Sequence, residues 1–303
     1  MQREIRSFLF SLEYLGNQGK KLTGGALSLN QIAPQNLGKA GTLQSLRPFP
    51  QFTAVTLNAP NLGSSNYHAA LLRIERRYTN GLQLLVNYTF SKMMDNVNAL
   101  TDLGGEPNYQ DFYNRKLDKS ISSLDVKHNF SASAVYDLPW GPGRRWLSRG
   151  LLGNAIGGWE ISTLSSIRSG PAYGVTTQTN TCQCFSAGPQ RANILRDPAL
   201  PADKRTVQQW FDTTAFSQPT NYTFGTAGRA VGRSPGAATV NLALMKNFKP
   251  IERIRIQLRG EAFNLLNHAN FGNPASALGG AGFGAITAAA DPRIMQVGLK
   301  VYF

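Results

Sequence analysis

The sequence predicts an all-β, antiparallel fold, and three observations carry that reading. Apolar residues recur with period two in run after run, helical periodicity is nearly absent, and the connections between runs alternate strictly between long and short. The composition suits a folded chain. Of 303 residues, 31 are Lys or Arg and 17 Asp or Glu, so the formal net charge is +14, yet only 16% are charged and 42% are hydrophobic. Apolar surface on that scale excludes a disordered polyelectrolyte.

Eight runs define the elements. The first carries Phe8, Phe10, Leu12 and Tyr14 on one face. From His68 to Tyr78, Ala70, Leu72, Ile74 and Tyr78 share a face while Arg73, Glu75 and Arg77 take the other; Thr79-Asn80-Gly81 then supplies turn chemistry. The return run sets Leu82, Leu84, Val86, Tyr88 and Phe90 against Gln83, Asn87, Thr89 and Ser91, with Leu85 as the exception. Val126, Phe130, Ala132, Ala134 and Tyr136 form the fourth run, and Trp159, Ile161 and Ile167 the fifth and weakest, because Thr163 and Ser165 interrupt it. A second hairpin descends through Val240, Leu242 and Leu244 to a turn at Lys249-Pro250 and returns through Ile254, Ile256 and Leu258. Opposite those apolar residues lie Arg253, Arg255, Gln257, Arg259 and Glu261. The last run is Met295, Val297, Leu299, Val301 and Phe303.

The connections 16–66, 93–124, 170–237 and 266–293 are long and rich in Gly, Pro, Asn and Ser. Those at 79–81 and 249–252 are tight, and 137–157 is intermediate. Every long connection therefore falls on one edge of the sheet. A soluble sandwich joins its strands by short segments, whereas an outer-membrane barrel has short periplasmic turns, long extracellular loops and strands that alternate apolar-out with polar-in. The expected fold is an antiparallel transmembrane β-barrel of about eight strands. On that reading Leu72, Ile74, Leu84, Val86, Leu242, Leu244, Ile256 and Leu258 face lipid, and Arg73, Glu75, Arg77, Arg253, Arg255, Arg259 and Glu261 face a watery lumen.

Other readings lose ground residue by residue. The charge-free stretch 262–290 is broken by Gly272, Pro274 and four further glycines, so no spanning helix is expected. Glu13 ends the apolar run 8–12 too early for a signal-peptide core. Cys182 and Cys184, one residue apart, read as an incidental loop pair or a local disulfide; with His68, His128 and His268 scattered, no metal site and no cofactor is expected. Gly280-Ala281-Gly282-Phe283-Gly284-Ala285 fits a dinucleotide fingerprint only formally, since no βαβ unit surrounds it. No G-x-S-x-G, Gly-Lys-Ser/Thr or H-E-x-x-H occurs, so no enzyme is expected. The basic charge does not point to nucleic acid, because the strand arginines alternate with apolar residues and share their face with Glu75 and Glu261. Arg144, Arg145 and Arg149 after Trp140 read as a solvated turn at the periplasmic rim.

Several stretches resemble a known family in order along most of the chain. They are 74–82 (Ile-Glu-Arg-Arg-Tyr-Thr-Asn-Gly-Leu), 88–92 (Tyr-Thr-Phe-Ser-Lys), 136–139 (Tyr-Asp-Leu-Pro), 157–159 (Gly-Gly-Trp), 210–216 (Trp-Phe-Asp-Thr-Thr-Ala-Phe) and 263–274, which opens Phe263-Asn264-Leu265-Leu266-Asn267. The chain resembles the C-terminal β-barrel region of Oar-like TonB-dependent receptors. The resemblance implies an outer-membrane location, contact with outer-membrane lipid, and uptake or surface binding of a ligand. It also implies that residues 1–303 are the C-terminal part of a barrel of about 22 strands, without the family's regulatory-like domain or plug. TonB would then act only through a plug outside this chain. Gln296, Gly298, Val301 and Phe303 resemble the terminal signal read by the barrel-assembly machinery. The alternative expectation is a self-contained eight-stranded structural or adhesion barrel.

Overall fold

In an extended chain successive side chains point to opposite faces, so period-two runs can bury or expose one face only as strands. The computed structural model describes residues 1–97, 109–251 and 253–303. Each of the eight runs forms a strand. In chain order the sheet contains β1 (Gln2–Ile5), β2 (Phe8–Leu22), β3 (Gly63–Thr79), β4 (Leu82–Asp95), β5 (His128–Asp137), β6 (Trp159–Arg168), β7 (Ala237–Ile251), β8 (Ile254–Phe263) and β9 (Ile294–Tyr302). Each pairs antiparallel with the next, giving the spatial order β1 to β9, and a tenth, two-residue strand, Ser120–Ile121, pairs with the end of β4 off this path. Alternation does not reveal β1, whose Gln-Arg-Glu-Ile is too short and polar to show a period. Among the described residues β1 and β9 do not pair, so the sheet is open at both edges.

The short connections lie on one edge. Asn80 and Gly81 both take positive φ, 53° and 81°, between the paired Thr79 and Leu82, which is the mirror-image turn that matches strand twist and that Asn-Gly favours. The second tight turn falls after Ile251 rather than at Lys249-Pro250, and pairing is irregular between Phe248 and Ile251. Pro250 has no N–H for the ladder, which accounts for the local break. Segment 138–158 contains a short helix, Gly150–Ile156. No helix among the described residues is long and apolar enough to cross a membrane. β2 and β3 have 15 and 17 residues, against 10 in β5 and in β6, so this pair is extended at its long-loop end.

The long connections pack on one another. Phe211, Ala192, Ala215 and Val175 are buried with Tyr173 and Phe216, and Leu278 and Phe283 close the cluster from the final loop. Within 210–216, Asp212 accepts from Thr214 N at 3.0 Å and pairs with Arg196 at 2.8 Å, while Phe211 fills the core. The asparagines of 263–274 serve as backbone ligands. Asn264 N donates to Asn241 Oδ1 on β7 at 2.9 Å, and its side chain both donates to His268 O and accepts from His268 N. Asn270 Oδ1 accepts from Ala238 N at 2.7 Å. These contacts end β8 and clamp its loop to β7.

Buried ion pairs tie the loops to the strand ends. Arg229 pairs with Asp95 at the end of β4, Arg233 with Asp125, and Arg191 with Asp118 at 3.1 Å. Burial pushes the Asp118 carboxyl up to about 6, and Arg191 opposes the shift only in part. A carboxyl raised above its unfolded value contributes stability that is fully present below about 3.8 and is lost as pH rises through about 6. Amides of 109–127 are therefore expected to be better protected at pH 5 than at pH 8. Hydrogen exchange corrected for intrinsic rates measures this, and Asp118→Asn is expected to flatten the difference.

Candidate functional site

The register divides the sheet into two chemically distinct faces. On the polar face, Ser11, Arg73 and Asn87 are aligned across β2, β3 and β4, and Asn87 continues to Ser131 and Ser166 on β5 and β6. Farther along, Met245 lies opposite Arg259, which lies opposite Gly298, and Ala243, Glu261 and Gln296 align in the same way. The polar side chains bond to one another. Arg73 Nη2 is 2.8 Å from Glu75 Oε2, Arg259 Nε donates to Glu261 Oε1 at 2.7 Å, and Gln296 Nε2 donates to Glu261 Oε2 at 2.5 Å. The Arg255 guanidinium lies 4.2 Å above the Tyr302 ring, within cation–π range.

Of the residues expected at the lumen, Arg73 and Glu75 lie together on β3, and Arg255, Arg259 and Glu261 on β8, all on this face. The two groups are separated by β4 to β7 and do not meet. Arg77 lies in the irregular stretch before the first turn and, with Glu75, Glu4 and Arg6, lines a cavity at the short-turn edge. Arg253 sits in the turn between β7 and β8 rather than on a strand.

The opposite face carries Leu72, Ile74, Leu84, Val86, Leu242, Leu244, Ile256 and Leu258, the eight residues that alternation assigned to one side. No Asp or Glu occurs on it in the paired stretches of any described strand. Among the described residues no second sheet covers it, for Leu72, Leu244 and Leu258 are about 40% exposed and Ile167 50%. Small residues on the polar face are instead buried, among them Ser11, Ala69, Ser91 and Ala243. Crowding of small side chains on one side and splaying of large ones on the other is the pattern of a sheet that curls toward its polar face.

The last strand pairs on one side only, and Met295, Val297, Leu299 and Val301 are exposed along its apolar face. Gln296 and Gly298 are on the polar face, Val301 on the apolar face, and Phe303 extends past the strand fully exposed. At the other end of the sheet the loops enclose a cavity of about 170 Å³ lined by Gln110, Asp118, Ile121, Val175, Arg191 and Arg229. Sequence patterning missed this cavity, because its charged residues, Asp118, Arg191 and Arg229, come from separate segments about 40 to 110 positions apart and no short motif joins them. Cys182 and Cys184 are both buried and form a disulfide. Ile32 N donates to Cys184 O at 2.9 Å, which couples the first long loop to the third. The segment 280–285 is a run of turns, not the start of a helix.

The sequence matches the outer membrane beta barrel domain family over residues 1–296. Among curated proteins none matches. Among solved structures, the outer membrane transporter YddB from Escherichia coli is similar at 9% identity and a TM-score of 0.52, covering 99% of this chain and 31% of that one. FpvA of P. aeruginosa, solved with bound pyoverdines, matches at 10% identity and a TM-score of 0.44, covering 98% and 25%. BauA, the ferric preacinetobactin receptor of Acinetobacter baumannii, matches at 10% identity and 0.42, covering 99% and 28%. The chain thus spans about a third or less of the length of these structures. An uncovered apolar face, a bonded polar face, loops gathered on one edge and a family match over nearly the whole length agree: the chain belongs to the outer membrane β-barrel domain family and resides in the outer membrane.

Proposed function

We propose that the chain is part of the barrel of a TonB-dependent receptor that takes up or binds a ligand at the cell surface, and that it performs no catalysis. The carrying observation is the segregation of charge, with no carboxylate on the apolar face while Arg73, Glu75, Arg255, Arg259 and Glu261 lie opposite. In lipid an apolar face needs no second layer, and a polar interior next to water costs little. The apolar face therefore meets outer-membrane lipid, and the polar face lines the lumen. An open sheet in hydrocarbon would leave unpaired N–H and C=O groups along β1 and β9, so both edges need partner strands from a larger barrel. The resemblance to Oar-like receptors and the likeness to YddB, an outer membrane transporter, support the same reading. The Cys182–Cys184 bond accords with it, since disulfides persist in oxidising surroundings such as the cell surface. The loops and their cavity are then extracellular and meet the ligand first. Energy coupling through TonB would require a plug, and no residue of this chain is assigned to that role.

The lipid-facing assignment has a measurable energy. Leu72→Arg is expected to destabilise the chain by about 2–4 kcal/mol in reversible unfolding from lipid vesicles, whereas Arg73→Leu changes stability by much less. The reverse ranking would contradict the orientation. Assembly tests the terminal strand. If the barrel-assembly machinery reads Gln296, Gly298, Val301 and Phe303, Phe303→Ser is expected to lower the yield of heat-modifiable protein in outer membranes without changing synthesis. An unchanged yield would count against the signal.

A further inference from the structure

The cavity among the loops pairs an apolar wall with an unevenly charged one. Its volume, about 170 Å³, is that of a void able to hold a benzene-sized body. Ile121, Ala172, Val175, Pro189 and Ala230 supply the apolar wall, and the charged residues of the described lining are Asp118, Arg191 and Arg229. The lining thus carries one more cation than anion. Arg229 is paired with Asp95, a carboxylate that does not itself line the cavity.

Arg191 is less completely matched. Its side chain is only 6% exposed, and it is held in place from the second loop: Arg191 N donates to Gln110 Oε1 at 2.8 Å, and Nη1 donates to Leu117 O at 3.1 Å. Its Nε and Nη2 have no hydrogen-bond acceptor among the described residues. Nη2 comes within 3.1 Å of Asp118 Oδ1 without completing a hydrogen bond, and Asp118 Oδ2 has no donor. The neighbouring carboxylate, Asp111, accepts instead from Gln31 Nε2 at 2.7 Å and from Tyr113 N at 2.9 Å. Unmade hydrogen bonds on a buried guanidinium are costly, and a carboxylate is the acceptor whose two oxygens match two N–H groups of one guanidinium side by side. Asp118 is the built-in competitor, since its negative charge beside Arg191 opposes a second anion there.

We propose that this cavity binds the carboxylate end of a ring-bearing organic acid, with Arg191 holding the carboxylate and the apolar wall holding the ring. The proposal rests on reading the loops as the surface that meets the ligand. The test is calorimetric titration of the full chain, in lipid nanodiscs, with benzoate, benzyl alcohol and acetate. Benzoate is expected to bind about tenfold more tightly than either of the others, against the order of partition into lipid, which favours the alcohol. Arg191→Gln is expected to lose the preference for benzoate over benzyl alcohol. Asp118→Asn removes the competing charge and keeps the shape, so it is expected to tighten benzoate severalfold, a gain that misfolding cannot produce. Equal affinity for benzoate and benzyl alcohol, an Arg191→Gln chain that keeps the preference, or an Asp118→Asn chain that fails to tighten overturns the proposal. Acetate binding as tightly as benzoate also overturns it, by pointing to a site for any small anion. The position of the loops is read separately, by treating whole cells that carry Asn221→Cys, at an exposed loop position, with a membrane-impermeant maleimide. Labelling of intact cells supports the extracellular reading, whereas labelling only after lysis refutes that reading and leaves the benzoate result standing by itself.

Discussion

The backbone hydrogen-bond requirement governs everything else in this molecule. Hydrocarbon offers no partner for an N–H or C=O, so a spanning chain without apolar helices must satisfy its backbone between strands. Once strands are imposed, the two-residue period divides every side chain between two solvents. The sequence of β3 shows the consequence within four residues: Leu72, Arg73, Ile74 and Glu75 alternate strictly, and a one-residue slip would move an arginine and a glutamate onto the apolar face. Register is thus fixed by the cost of misplacing charge rather than by tight core packing. This explains why the sheet has few large buried side chains while the loops contain a conventional aromatic core around Phe211.

The loops obey different physics. Away from lipid they must hold a shape with long stretches of irregular backbone, and they do so with buried Arg–Asp pairs and asparagine side chains that replace backbone partners. Breaking such a pair leaves an uncompensated buried charge and is costly, even where forming it gains little. Arg229 with Asp95 and Arg233 with Asp125 anchor the third loop to the neighbourhood of β4. Asn264 and Asn270 do the same between the fourth loop and β7 with uncharged groups. Because these anchors sit at the tops of strands, loop geometry is inherited from strand register, and a ligand-contacting surface on the loops would be positioned by the lipid-imposed sheet beneath it.

The strands were legible because lipid enforces alternation. Their upper ends were not. β2 continues to Leu22 and β3 begins at Gly63, through Asn17, Gln18, Lys20 and Ser64, Ser65, Asn66, where both faces meet water and no period marks the strand. β1 was invisible because its four residues, Gln-Arg-Glu-Ile, are too few and too polar to show a period. The turn expected at Lys249-Pro250 comes later, because Pro250 belongs to the end of β7, in the stretch of irregular pairing between Phe248 and Ile251. The charged lining of the loop cavity, Asp118, Arg191 and Arg229, was illegible because only tertiary folding brings it together. By contrast the 263–274 motif was visible as a string of asparagines and phenylalanines, and the structure supplies its physical meaning: Asn264 and Asn267 take positive φ, 50° and 51°, and turn the chain out of β8.

The division of the sheet between lipid and water is tested most directly by scanning a nitroxide label through β8 and β9 in bilayers and comparing collisions with oxygen and with a water-soluble nickel chelate. Oxygen, which concentrates in hydrocarbon, should dominate at Ile256, Leu258, Val297 and Leu299, and the nickel chelate at Gln257, Arg259 and Gln296, with a period of two residues. Loss of the alternation, or the opposite phase, would contradict the account.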